Sequence, residues 1–125
     1  MTHKKHSPGF LALVNEARGR IREIDIDTYR RMREQGVPHT LVDIREDHEW
    51  AAGHAAGAVH IGKGIIERDI ETEAPDKNAT LVLYCGGGFR SALAADALTR
   101  MGYGDVISLD GGWRAWQAAG LPMET

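Results

Sequence analysis

A chain of 125 residues has room for one compact domain with its own hydrophobic core, and little room for a second. Hydrophobic residues at 42% and charged residues at 26% are the make-up of a folded globular protein and exclude disorder as its working state. A formal net charge of −3 argues against nucleic acid as the main partner, because phosphate binding draws on a basic surface.

The longest apolar runs, such as Leu81–Leu83 and Ala92–Ala95, are too short to cross a bilayer, so no membrane partner is expected. Met1 to Ser7 is basic, but no long apolar stretch or cleavage site follows it, and a cytoplasmic location is the expectation. A single cysteine rules out an intramolecular disulfide and any multi-cysteine metal cluster.

In chain order, Ser7 to Arg20 has Phe10, Leu11, Val14, Ala17 and Ile21 at helical spacing and reads as an amphipathic helix. Residues 1–21 are read as a helical extension, packed on the domain or forming a dimer seam, and residues 22–125 as the domain itself. Ile24 and Ile26 alternate with Glu23 and Asp25 as in a short strand. Asp27 is placed as the N-cap of a helix over Thr28–Gln35, which Gly36 ends. Strands follow at Leu41–Ile44 and Val59–Ile61, with helical turns at 46–52 and 65–73. Thr80–Tyr84 is β-branched or apolar throughout, like a central strand covered on both faces. An Ala-rich helix runs from Ser91 to Met101, a last strand covers Val106–Leu109, and a last helix covers Trp113–Ala119. Strands alternating with helices define an α/β domain with a mostly parallel sheet, and right-handed crossovers put helices on both of its faces.

The chemistry concentrates in Tyr84-Cys85-Gly86-Gly87-Gly88-Phe89-Arg90-Ser91. A strand ends at the cysteine, a glycine-rich loop follows, and a helix starts near Arg90. Ligands in open α/β sheets bind beyond the carboxyl ends of strands, where Cys85 falls. The glycines let successive backbone N–H groups turn inward as an anion nest, and the helix start adds partial positive charge. Both favour the thiolate and, equally, a persulfide anion or the oxygens of an anionic donor. Arg90 is placed to hold the loop or face an anionic substrate. The competing reading is a buried structural cysteine before an ordinary strand-to-helix turn; the glycines, Arg90 and helix start together weigh against it.

Three segments in order resemble the rhodanese family of single-domain sulfurtransferases. They are Leu41-Val42-Asp43-Ile44-Arg45-Glu46 continuing through Glu49-Trp50-Ala51-Ala52-Gly53-His54-Ala55-Ala56-Gly57-Ala58, the loop from Cys85 to Arg90 with Ser91, and Leu109-Asp110-Gly111-Gly112-Trp113-Arg114-Ala115-Trp116. The resemblance spans about Ile24 to Met123. It implies a three-layer sandwich with a sheet of about five strands, no cofactor, and a two-step cycle. Cys85 takes sulfur from a small donor, thiosulfate or a persulfide, and passes it to cyanide or a thiol; a protein-borne persulfide is an alternative partner. The N–H groups of Gly86, Gly87, Gly88, Phe89 and Arg90 would cradle the charge. Asp43 and Arg45 would form a supporting shell, as substrate contacts or as an ion pair bracing the loop.

The loop has four residues between Cys85 and Arg90, one fewer than in the related phosphatases and arsenate reductases, which disfavours phosphate. It carries no Lys or Arg between those two positions, where many thiosulfate-using members have a cation, so thiosulfate turnover is expected to be weak. Phe89 instead suits an apolar or protein-borne donor. A non-enzymatic or persulfide-sensing interaction domain is the alternative class. Six histidines suggest no metal site: His3 and His6 lie in a tail, His54 and His60 have turn and packing roles, and His39 and His48 have no evident partners. Trp113 and Trp116 with Leu109 and Leu121 are read as core, with Trp113 reaching the loop as the lesser alternative.

Overall fold

The structure is a computed structural model that describes residues 6–125. Its frame is a five-stranded sheet of β1 (Arg22–Ile24), β2 (Thr40–Asp43), β4 (Val59–His60), β5 (Thr80–Tyr84) and β6 (Asp105–Leu109). Every pairing in it is parallel, in the order β1-β6-β5-β2-β4. β5 is central because Leu81, Val82, Leu83 and Tyr84 are all fully buried and need cover on both sides. Leu81 and Leu83 face α4 (Ile66–Glu73) and α5 (Phe89–Arg100), meeting Ile66, Ile70, Ala94, Ala95 and Leu98. Val82 and Tyr84 face the opposite layer, with Tyr29 of α2 (Ile26–Glu34) and Trp116 of α6 (Gly112–Ala118). The period-2 alternation of a strand thus divides one run of apolar residues between two cores. The α/β expectation, with a mostly parallel sheet of about five strands and helices on both faces, describes this architecture.

The helix α1 (Pro8–Arg18) packs on the outer side of α5, with Val14 and Ala17 buried there. Arg20, just beyond its end, forms a two-pronged ion pair with Asp96 of α5 at 3.0 and 2.7 Å. Within the apolar stripe of this segment Val14 and Ala17 are buried, while Phe10, Leu11 and Ile21 are half-buried.

Several boundaries differ from the sequence-based expectation. The first strand is Arg22–Ile24, and the residue that caps α2 is Asp25, not Asp27: its carboxylate accepts the Thr28 N–H at 2.8 Å. Register decides this. Ile24 is the last residue of β1 to pair, opposite Leu109, so Asp25 is the first residue free to cap. Asp27 sits in the first turn and pairs with Arg30 at 3.4 Å. A second, two-stranded antiparallel sheet of β3 (His54–Ala55) and β7 (Met123–Glu124) had no sequence signal. It draws the last residues alongside His54 and Ala55, which follow α3 (Asp47–Ala52). His39, read as partnerless, hydrogen-bonds the Tyr29 hydroxyl at 2.8 Å.

β2 leads toward β4 on one side and β5 leads toward β6 on the other. The connections leaving these adjacent strands diverge, which opens a crevice at their carboxyl ends. Cys85 is the first residue after β5, inside that crevice.

Asp25→Ala is expected to lower the urea denaturation midpoint clearly, and Asp27→Ala to lower it by less than about half as much. Equal shifts would contradict the capping assignment.

Candidate active site

The Cys85 loop is shaped by what its peptide carbonyls bind. The Trp113 N–H donates to the Cys85 carbonyl at 2.7 Å, and the Arg114 N–H to the Gly86 carbonyl at 3.2 Å. Both donors are free first-turn groups of α6, so one helix start satisfies two carbonyls at once. This close approach requires glycine at 112, which has φ +49°: a Cβ there would lie 2.3 Å from the Cys85 carbonyl oxygen. Gly88, with φ +102°, then turns the chain into α5.

With the carbonyls engaged outward, amide hydrogens converge on the sulfur. Cys85 Sγ accepts from the Gly88 N–H at 3.2 Å and from the Ser91 N–H at 3.4 Å. The Ser91 hydroxyl lies 3.6 Å from Sγ and 2.7 Å from the Ser108 hydroxyl, and both serines are fully buried. Cys85 itself is buried at the floor of the loop. α5 begins at Phe89, two residues earlier than its composition suggests, so the loop's last N–H groups are also the helix's first.

Arg90 closes the loop. Its guanidinium folds back beside Gly86, where a Cβ would stand 3.2 Å from Nη2. It is gripped by Glu49 of α3 through two hydrogen bonds of 2.8 and 3.2 Å. Glu49 is placed by a capping box in which Glu46 and Glu49 satisfy each other's backbone N–H groups. The Arg90 hydrogen bond lowers the Glu49 pKa to about 2, against the opposing effect of burial, and Arg90 is raised in turn by Glu49. The pair spans the crevice from the β2 side to the β5 side. Sequence reasoning passed over Glu49, since nothing local marks it as Arg90's partner. It passed over Ser108 too, although a lone hydroxyl in the apolar run Val106–Leu109 was a usable signal.

Asp43 and Arg45 form a buried pair with contacts of 2.8 and 3.1 Å, and Arg45 Nη2 also donates to the Gly53 carbonyl at 2.7 Å. Burial alone would lower the Arg45 pKa, but Asp43's hydrogen bond and charge outweigh it and raise it. The Tyr84 hydroxyl donates to Asp43 at 2.5 Å and accepts the Ala55 N–H at 3.0 Å. Burial first, then Asp43, raises the Tyr84 pKa. The Arg45 guanidinium lies 4.8 Å over the Trp113 ring. The pair thus supports α6 and the strand end through Trp113 and Tyr84. Trp113, read as core, is only half-buried and reaches the loop through its backbone, while Trp116 and Leu109 are core.

The ring of Phe89 packs against α1, with His6 at 4.5 Å, Phe10 at 6.3 Å and the Arg18 guanidinium at 4.9 Å. His54 and His60 stack on Trp50, at 3.4 and 4.9 Å. Among the described residues no three His, Cys, Asp or Glu groups are arranged to hold a metal ion, and no helix is long and apolar enough to cross a membrane.

A parallel α/β sandwich with a cysteine-headed amide loop at the end of its central strand defines a class, and the comparisons agree with it. The sequence pattern of the Rhodanese-like domain family matches residues 25–119, and the chain belongs to that family. It is 35% identical over 101 residues to the thiosulfate sulfurtransferase GlpE of Vibrio cholerae, covering 81% of this chain and 92% of that protein. It is 41% identical over 86 residues to GlpE of Pseudomonas fluorescens SBW25, covering 69% and 75%. Among solved structures, a Rhodopseudomonas palustris protein of unknown function, described as a possible tyrosine phosphatase, superposes with a TM-score of 0.81 at 29% identity, covering 99% of this chain and all of the other. A rhodanese-like domain protein of Staphylococcus aureus gives 0.73 at 28% identity, covering 84% of this chain and all of that one.

Two outcomes follow from this geometry. Gly112→Ala is expected to destabilise the fold by about 2–4 kcal/mol in chemical denaturation, through a Cβ clash and a strained positive φ. Unchanged stability would contradict the close approach. Glu49 has its carboxyl lowered from the ordinary 4.5 to about 2. The pair's stabilisation is therefore complete above about pH 4.5 and lost as pH falls toward 2. Glu49→Gln is expected to remove on the order of 1–2 kcal/mol of that acid-dependent loss, after allowance for partial solvent screening. Parallel stability–pH curves for both proteins would contradict the pairing.

Proposed function

We propose that the protein is a sulfurtransferase that carries sulfane sulfur on Cys85 as a persulfide. The observation that carries this reading is the setting of Sγ, met by the N–H groups of Gly88 and Ser91 at the head of α5. Among the described residues no imidazole or carboxylate hydrogen-bonds that sulfur. Such a site manages negative charge on sulfur and has no proton-transfer partner beside it. The relatives named as thiosulfate sulfurtransferases support the same chemistry.

In the first half-reaction the Cys85 thiolate attacks the outer sulfur of the donor. A bond forms between Sγ and that sulfur, and the donor's S–S bond breaks. With thiosulfate the electron pair leaves on sulfite. In the second half-reaction cyanide or a thiolate attacks the outer sulfur, and the Sγ–S electron pair returns to Cys85. No oxidant or cofactor is consumed. The N–H groups of Gly86 to Arg90 serve as the cradle for the outer sulfur, Ser91 and Ser108 position Sγ, and Asp43 with Arg45 supports the frame.

Thiosulfate is a weak donor on this account. Its double negative charge meets backbone amides and an Arg90 whose charge is already engaged by Glu49. A persulfide with a single negative charge is better matched. The phosphatase description of the Rhodopseudomonas neighbour is not carried over, because the loop here is one residue shorter than phosphatase loops.

Intact-protein mass spectrometry after incubation with thiosulfate, and separately with a small persulfide, tests this directly. The expected result is a gain of one sulfur, removed by cyanide and absent in Cys85→Ser, with thiosulfate saturating only at millimolar concentrations. No gain from either donor would favour an interaction domain, and saturation at low micromolar thiosulfate would refute the donor preference.

A further inference from the structure

Asp110 is the first residue after β6, and backbone contacts on two sides set its place. Its N–H donates to the Ile24 carbonyl of β1 at 2.8 Å. Its Cα and Oδ1 lie 3.4 and 3.5 Å from the point that a Cβ on Gly88 would occupy. Oδ1 is therefore within about 5 Å of Gly88 Cα, given a carbon–carbon bond of about 1.5 Å. The Gly88 N–H is one of the groups that meet Cys85 Sγ, at 3.2 Å. An anion held by that N–H stands within roughly 10 Å of the Asp110 carboxylate.

A carboxylate just before a helix ordinarily caps it. Here Gly111 is the N-cap of α6, no side chain caps that helix, and the Trp113 and Arg114 N–H groups go to the Cys85 and Gly86 carbonyls. Asp110 is exposed, and among the described residues its carboxylate has neither a hydrogen bond nor an ion pair. Other charged groups around the loop are matched: Arg90 pairs with Glu49, and Arg18, over the Phe89 ring, pairs with Glu23 at 3.2 Å. Asp110 thus places an unpaired negative charge at the edge of a loop whose amides attract anions.

We propose that Asp110 is a specificity-determining residue, which disfavours doubly charged anions at Cys85 and selects donors carrying one negative charge or none. The choice of donor rests on the sulfurtransferase reading above, while the charge effect holds for any anion that reaches Cys85. Specificity is a difference of affinities: the loop amides attract every anion, and the carboxylate sets how much each is penalised. Coulomb repulsion scales with the product of the charges, so a dianion such as thiosulfate loses the square of the factor that a monoanion loses. The separation is comparable to the Debye length of about 8–10 Å at physiological salt, so the discrimination acts there and fades at high salt.

The test compares alkylation of Cys85 by iodoacetate and by iodoacetamide, which differ by one negative charge, in the full chain and in Asp110→Asn. The ratio of the two rates cancels any change in the thiolate fraction. At about 10 mM salt Asp110→Asn is expected to raise the iodoacetate:iodoacetamide ratio by about two- to fivefold, and at about 1 M salt by less than about 1.3-fold. The second-order rate of persulfide formation from thiosulfate should rise by about the square of the low-salt factor. Asp110→Ser should match Asp110→Asn, and Asp110→Glu should stay near the parental ratio. Glu34→Gln, which removes an exposed charge at the end of α2, should leave the ratio unchanged. An unchanged ratio in either uncharged variant, a change that survives high salt, or a thiosulfate gain no larger than the iodoacetate one would overturn the assignment. Alkylation needs no sulfur transfer, so the two readings fail separately. An unchanged ratio with persulfide still forming overturns the role of Asp110 alone. A raised ratio with no sulfur loaded from any donor overturns sulfur transfer and leaves Asp110 as a charge filter.

Discussion

The two hydrogen bonds from the start of α6 to the carbonyls of Cys85 and Gly86 decide which way the loop's peptide units face. A peptide group whose oxygen is held on one side must present its N–H elsewhere. Fixing those carbonyls against Trp113 and Arg114 sets the start of the loop, and further along it the Gly88 and Ser91 N–H groups meet Sγ. The arrangement works only if two backbones come close together, which is why Gly112 faces Cys85 and Gly88 faces Gly111. The three segments that carry the family resemblance are in this sense one object: one carries Cys85, one clamps its loop, and one braces the clamp through Arg45 beneath the same tryptophan's ring.

Charge is organised to the same end. Both arginines near the site are matched by carboxylates, Arg90 by Glu49 and Arg45 by Asp43. Arg90 also faces Cys85, with its charge shared with Glu49. Backbone dipoles, which neither titrate nor move far, act beside it to stabilise negative charge there. A buried ion pair such as Asp43–Arg45 is weak evidence for stability, because desolvation offsets much of its attraction. Its value is directional. It orients the Tyr84 hydroxyl at the end of β5.

Much of this was legible from residues alone, and the limits have physical causes. β5 was clear because a continuous apolar run beside three glycines has few alternatives. The loop was clear because its chemistry is contiguous in sequence. Asp25 was passed over in favour of Asp27 because both precede a helical pattern, and only the pairing of Ile24 with Leu109 separates them. β3 and β7 are two residues each and exist only because the chain's end returns to His54. Glu49 could not be matched to Arg90 because the crevice that joins them is a property of strand order. Phe89 read as a contact for an apolar donor, whereas its ring packs against α1.

The most direct test of the central claim is a crystal structure of the protein loaded with sulfur on Cys85. The account predicts the outer sulfur inside the loop, within about 3.2–3.8 Å of at least two amide nitrogens from Gly86 to Arg90, with the Cys85 and Gly86 carbonyls still held by α6. An outer sulfur pointing away from those amides, or a loop whose carbonyls have turned inward, would contradict it.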